Sequence, residues 1–231
     1  MNNIEFSRIG RGVYTFVEAE RLTMVPRRRI RRWTKGYSYK YKGEIKHTPP
    51  AIEKGYALDD DIPMLDFTDL IEIMFLNAFR NYGVSWKTIN IASDKAKTML
   101  KRRRPFSTRL FKTDGRTILG EIAQESDDKV LIDLIKDQYA FEKVLAPYLN
   151  GLEFNKFDEP ERWWPLGIDR SVVIDPHRSF GAPIVFHGGI PTLILYKAVS
   201  ADQSVDFVAN WYDVERHEVV DAYEFERKLA A

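Results

Sequence analysis

Residues 13–36 read VYTFVEAERLTMVPRRRIRRWTKG, and this stretch decides the N-terminal fold. Val13 and Tyr14 precede Thr15, whose hydroxyl suits a helix N-cap, and Glu18 stands three residues on to close a capping box. Phe16, Ala19, Glu20 and Leu22 follow at helical spacing, and Thr23, Met24 and Val25 lead to Pro26, a residue suited to the first turn of a second helix. The pattern predicts two short helices joined by a tight turn. The second carries Arg27, Arg28, Arg29, Arg31, Arg32 and Lys35, with Ile30 and Trp33 as its only large apolar residues, so one narrow stripe packs and the rest is cationic.

Beyond Gly36, aromatic and polar residues alternate from Tyr37 to Lys46 and Gly43 offers a turn, which predicts a small β-hairpin, or wing. Pro49 and Pro50 end it. A polar connection through Asp59, Asp60 and Asp61 follows, better suited to a solvated loop than to a hard-cation site, and leads to Asp66, a second N-cap. Leu70, Ile71, Met74, Phe75, Ala78 and Phe79 give the next helix, Asp66 to Tyr82, a broad apolar stripe, which is expected to help build a homodimer. Gly83 ends it and Ser85 caps another helix to about Leu100. The basic tetrad Lys101 to Arg104 precedes two β-like runs around Asp114-Gly115, a strong hairpin signal. Lys129 to Leu149 reads as helical, with strand an alternative for its short apolar runs, and Asn150-Gly151 as a stop. Phe154 to Pro165 reads as a linker in which Trp163 and Trp164 staple the domains together. From Gly167 onward, Asp175-Pro176 and Gly188-Gly189 flank an apolar run from Pro183 to Phe186, predicting a β-hairpin, and helices follow, one capped by Asp202 or Ser204. The expected fold is mainly α with small β-hairpins (α+β): a winged helix-turn-helix and dimerisation region over 1–116, a connecting helical region and linker over 117–166, and a C-terminal β-hairpin with a three-helix, helix-turn-helix-like domain over 167–231.

The composition suits that fold. With 231 residues and 44% apolar content the chain can bury a core, and 13% aromatic content is too high for a disordered tail. Asp66, Asp69 and Glu72 interrupt the longest apolar stretch, so no membrane span is expected. The absence of cysteine and of a signal-peptide core makes a cytoplasmic protein the expectation. The net charge of +1 conceals an asymmetry: 12 Lys+Arg against 4 Asp+Glu in residues 1–50, 12 against 9 in 51–116, and 11 against 21 in 117–231. A basic head on an acidic body is expected where one end meets a polyanion, although a diffuse excess is equally compatible with ordinary surface decoration.

A helix fits the major groove of DNA, where exposed arginines reach guanine edges or phosphates. The candidate DNA-binding residues are therefore Arg27, Arg28, Arg29, Arg31, Arg32 and Lys35 on the helix, with Tyr39, Lys40 and Lys42 on the wing. Catalysis finds little support, and neither a metal nor another cofactor is expected: His47, His177, His187 and His217 are scattered without ligand spacing, and neither GxGxxG nor GxxxxGK[ST] is present.

Tyr14, Ala19, Leu22, Val25, Ile30, Arg31, Arg32, Trp33 and Tyr37 fall as in the winged helix-turn-helix of MerR-type regulators, a resemblance covering about the first 50 residues. Leu65-Asp66-Phe67, Gly83-Val84-Ser85, Arg104-Pro105-Phe106 and Trp163-Trp164-Pro165-Leu166-Gly167 resemble the middle of a bacterial antitoxin group. Val173-Ile174-Asp175-Pro176, Phe180 to Val185, Gly189-Ile190-Pro191-Thr192 and Val219-Val220-Asp221-Ala222 resemble a small domain of unknown function in VapB-like antitoxins. The resemblance implies an antitoxin of a type II toxin-antitoxin system, not an enzyme, that binds operator DNA to repress its own operon and neutralises a PIN-domain ribonuclease toxin. Lys101 to Arg109 is a basic segment suited to such a toxin's acidic site. A stand-alone MerR-type regulator sensing a small molecule is the alternative, and an enzyme using the C-terminal unit a third class.

Overall fold

The structure is a computed structural model that describes residues 10–52, 57–58, 62–126, 129–137, 143–145, 148–201 and 203–230. The aspartates at 59–61 and the candidate cap Asp202 lie outside them. The described residues divide into two compact units: those within 14–149 with 156–159, and 10–13 with 150–155 and those within 160–230. Residue 116, expected as a boundary, lies inside a helix. The secondary structure is mainly helical with small antiparallel sheets, and the N-terminal unit opens on a helix-turn-helix.

In the first unit, α1 (Phe16–Thr23) begins at Thr15, which accepts from the Glu18 N–H at 3.2 Å while its own N–H donates to the Glu18 carboxylate at 2.7 Å. Met24 ends α1 in the left-handed region with φ 57°, and α2 (Arg27–Lys35) starts after Pro26. Strands β1 (Tyr37–Tyr41) and β2 (Glu44–Thr48) pair antiparallel around Lys42-Gly43, whose positive φ values of 51° and 87° suit a tight hairpin. The wing is sealed to α2 at Gly36: a Cβ there would stand 2.5 Å from the Thr48 carbonyl oxygen. A short antiparallel pair, β3 (Ala57–Leu58) with β4 (Ile62–Pro63), precedes α3 (Phe67–Tyr82). Asp66 caps α3 in a box with Asp69, Gly83 closes it at φ 106°, and Ser85 caps α4 (Trp86–Leu100).

Two expectations fail in this unit. Met74, Phe75 and Phe79 are 2%, 0% and 3% exposed and fill the chain's own core, so they offer no dimer surface. A helix apolar nearly all round is an internal one. Secondly, Asp114-Gly115 is not a hairpin but lies within α5 (Arg109–Ser126). Phe111, Ile118, Leu119, Ile122 and Ala123 recur at helical spacing and are buried, and the absence of a side chain at 115 lets the Phe111 ring pack across it. Burial of that stripe overrides a local turn preference. Of the basic segment 101–109, Arg104 is drawn inward onto Asp69 at 2.6 Å, whereas Lys101, Arg102 and Arg103 are exposed and Arg109 lies 3.6 Å from Asp158. The rings of Phe75, Phe79, Phe106 and Phe111 meet edge to face at centroid distances of 5.0–6.4 Å, and α6 (Lys129–Lys136) packs on α5.

In the second unit, β5 (Leu152–Phe154), β6 (Pro160–Trp163), β7 (Val172–Ile174) and β8 (Pro183–Val185) form one antiparallel sheet in sequence order. The stretch 154–165 is thus not a free linker: β6 lies within it, and Trp164 packs on Phe186 with Val173 and Ile184 inside this unit. The expected hairpin is real but pairs β8 back to β7 and continues into four strands. Helices α7 (Thr192–Ser200), α8 (Val205–Tyr212, capped by Ser204) and α9 (Arg216–Ala230) enclose Val185, Leu195, Val208, Ala209, Val219 and Ala222.

Candidate nucleic-acid interface

The surface of α2 follows from its angular pattern. Ile30, Trp33 and Thr34 are buried, and Thr34 donates its hydroxyl to the Ile30 carbonyl at 3.0 Å. Opposite them, at i, i+3, i+4 and i+7, stand Arg28, Arg31, Arg32 and Lys35, all exposed. On the flanks, Arg27 and Arg29 are both engaged by the protein. The Arg27 backbone N–H donates to Glu20 at 2.8 Å and its Nε lies 3.7 Å from the same carboxylate. Arg29 donates Nη1 to the Asn77 side-chain oxygen at 2.6 Å, tying α2 to α3. The four cations opposite the buried face and Arg27 on its flank are exposed, whereas Arg29 is half-buried and ties the helix to α3.

The wing continues this face. The Arg32 guanidinium lies 3.9 Å from the centre of the Tyr37 ring, so the last turn of α2 is fixed on the root of β1. Tyr39, Lys40 and Lys42 are exposed, Lys42 at the hairpin tip. The chain then returns beneath α2, where the Ala51 and Ile52 N–H groups donate to the Trp33 carbonyl at 2.9 and 3.1 Å. Trp33 stacks on Trp86 at 5.5 Å between centroids and 5° between planes, joining α2 to the start of α4. Asn77 and Trp86 were not legible in the sequence as partners of α2, because nothing local marks a contact made across about fifty residues of chain.

Behind the interface lies a buried polar cluster. Arg104 Nη2 sits 2.6 Å from Asp69 and 3.5 Å from Asp66, and the Ser107 N–H donates to Glu72 at 3.0 Å. Burial pushes the Asp69 carboxyl up to about 7, assisted by repulsion from Asp66 and opposed by Arg104. Burial likewise pushes Glu72 up to about 8, again against the pull of Arg104. This cluster pins the chain before α5 onto α3, a structural role.

The second unit hides much of its negative charge. Asp221 accepts from Arg170 Nε at 2.8 Å and from the Ser171 N–H at 2.7 Å; burial opposes ionisation there, but these bonds hold its carboxyl below the usual range. Glu218 accepts from the His187 and Glu215 N–H groups, and Glu226 accepts the Thr192 hydroxyl. The acidic surface expected from residue counts is correspondingly smaller. What this unit does present is a stacked aromatic pair on α8: Phe207 and Trp211 are 51% and 72% exposed, with ring centroids 6.0 Å apart. A neighbouring cavity is lined by Asp206, Asp213 and Glu215 together with Arg216, which pairs with Asp206 at 3.0 Å. Among the described residues, no group of three or more His, Asp and Glu is placed to hold a metal ion, and no helix is long and apolar enough to cross a membrane.

Two helices in a turn, a cationic second helix and a two-stranded wing define a helix-turn-helix DNA-binding domain, and residues 12–92 match the family described as "Putative DNA-binding HTH domain". Over 229 residues the chain is 28% identical to the "Putative antitoxin VapB45" of Mycobacterium tuberculosis, an alignment that covers 91% of this chain and 92% of that protein. The X-ray crystal structure of Rv2018 from the same organism matches with a TM-score of 0.73 and 25% identity, covering 93% of this chain and 99% of that one. Together these similarities support a helix-turn-helix DNA-binding domain at the N-terminal end of the chain.

Proposed function

We propose that this protein is the antitoxin of a type II toxin-antitoxin system, cytoplasmic and non-enzymatic, that represses its own operon and neutralises a PIN-domain ribonuclease. The observation that carries the DNA half is the presented stripe of Arg28, Arg31, Arg32 and Lys35 on a helix anchored from its other sides. The stripe enters the major groove in the manner of MerR-type regulators, and Tyr39, Lys40 and Lys42 of the wing follow the adjacent backbone. Arg29 acts as a positioning residue, and the exposed Arg27 stands beside the stripe as a further DNA contact. A homodimer would set two α2 helices on half-sites one helical turn apart, about 34–36 Å.

Similarity to an antitoxin over nine-tenths of the chain supports the toxin half. Within the second unit the docking surface we assign is the exposed Phe207–Trp211 pair, suited to a partner with apolar side chains. The test is a chain ended at Leu149. It is expected to shift the duplex upstream of its own reading frame and to fail to rescue cells expressing the adjacent gene's product. Rescue by the shortened chain would place the toxin-binding surface in the first unit.

A further inference from the structure

Beside α2 lies a cavity of about 490 Å³ bounded by Pro26, Arg28, Arg29, Arg32, Trp33, Tyr37, Arg80 and Trp86. Its volume falls in the range that encloses small ligands, roughly 300–1,000 Å³. Four guanidinium groups and three aromatic rings line it, without a carboxylate. Among the described residues, two of these cations meet neutral oxygens and a third a ring: Arg29 donates to Asn77 at 2.6 Å, Arg80 donates to the Val84 carbonyl at 2.6 Å, and Arg32 lies 3.9 Å from the centre of the Tyr37 ring. Arg28 is exposed and has no partner among the described residues. Trp86 holds its indole N–H buried and unpartnered.

Each guanidinium carries five N–H donors in a planar fork, so a single engaged nitrogen leaves most of that capacity open. Four such groups around one space repel one another, and aromatic walls lower the local dielectric, which strengthens that repulsion and equally any attraction to an anion. The ligand that matches planar forks at close range is a tetrahedral oxyanion able to accept several bonds at once, which is a phosphate.

We propose that this cavity is a nucleotide-phosphate site, with Arg28, Arg32 and Arg80 supplying donors to the phosphoryl oxygens and the Trp86 ring forming part of its wall. The assignment rests on the DNA-binding reading of α2 and extends it to Arg80 and Trp86, which belong to α3 and α4 rather than to the helix-turn-helix or its wing. The phosphate has two sources: the backbone of bound DNA flanking the groove that α2 enters, or a free nucleotide that would compete with it.

The full-length protein is titrated with inorganic pyrophosphate, with ATP and with a duplex from the upstream region, reading the indole emission of the wild type and of Trp86→Phe, a change that removes the N–H and keeps a ring. For a backbone site, the duplex alters Trp86 emission, pyrophosphate and ATP act only weakly, and Arg80→Ala lowers duplex affinity by about tenfold while reducing the log-log salt slope by about one. For a free-nucleotide site, ATP or pyrophosphate saturates the signal and displaces the duplex. Arg80→Lys, which keeps a cation at the site, is expected to recover part of the loss, and thermal melting of both variants separates this effect from unfolding. The proposal is overturned if neither small anion nor duplex changes the Trp86-dependent emission and Arg80→Ala binds duplex with the wild-type salt slope. Duplex binding that depends on Arg31 but ignores Arg80 and Trp86 would sink the cavity alone. Saturable anion binding with no duplex binding would keep the cavity and remove the DNA-binding reading.

Discussion

Two segments of this chain use the same local grammar for different ends. In α1–α2 a hydroxyl residue, Thr15, caps the first helix, a non-glycine residue, Met24, turns the chain at φ 57°, and the second helix opens on an arginine. In α8–α9, Ser204 caps the first helix, Asp213 turns the chain at φ 54°, and Arg216 opens the second. The surfaces diverge. The second helix of the first pair turns four cations outward, whereas that of the second pair turns Glu218, Asp221 and Glu226 inward, where backbone N–H groups, Arg170 and Thr192 engage them. The exposed feature of the second pair is instead aromatic, Phe207 with Trp211 on its first helix. A helix-turn-helix is thus a scaffold whose role is set by the side chains that packing leaves outside.

The largest expected effect tests the cationic stripe. Replacing Arg28 and Arg31 together by Ala should abolish duplex binding with an unchanged melting temperature, because both side chains are exposed and make no described contact. If the wild-type homodimer neutralises about six phosphates, its log-log salt slope should be roughly −5. Wild-type affinity in the double variant would erase the distinction between the two helix pairs.

Next in size is the aromatic surface. Trp211→Ala with Phe207→Ala should cost about 2–4 kcal/mol in toxin binding, as truncated hot-spot aromatics do, and leave duplex affinity intact. Pull-down of the adjacent gene's product followed by calorimetry measures it, and loss of DNA binding instead would assign α8 to the first activity.

A third prediction concerns pH. Burial lifts Glu72 from 4.5 to about 8 and Asp69 from 3.8 to about 7, so the folded state retains protons there that the unfolded chain has already released. Stability of the first unit should therefore fall as pH rises from about 4 to about 8 and level off above that. Glu72→Gln should flatten the upper part of this slope in thermal melts. An unchanged slope would show that Glu72 is ionised in the fold.

The smallest effects compare the caps and turns directly. Thr15→Ala and Ser204→Ala should each cost about 1 kcal/mol, in the first and second unit respectively. Met24→Gly and Asp213→Gly should each stabilise by a few tenths to about 1 kcal/mol through relief of the left-handed backbone. Two resolved melting transitions that respond separately to the paired variants would confirm that the units unfold independently. A single transition moved equally by all four would merge them.

The features legible in the sequence were those whose physics acts within about four residues. Thr15 with Glu18, Asp66, Gly83, Ser85 and Ser204 marked helix ends through side-chain bonds to nearby backbone, and the alternation from Tyr37 to Lys46 marked the wing. The cationic character of α2 was legible for the same reason. Tertiary structure alone decided which arginine is withdrawn, because Asn77 claims Arg29 from outside the helix. It overrode Asp114-Gly115, since burying Phe111, Leu119 and Ile122 against the core outweighs a turn dipeptide's preference. It drew part of 154–165 into a sheet, where β6 gains backbone partners on both sides. It also withdrew Met74, Phe75 and Phe79 from any dimer surface and Glu218, Asp221 and Glu226 from the acidic one. A residue count weighs every side chain alike, whereas burial and hydrogen bonding across the fold determine which of them a partner can meet.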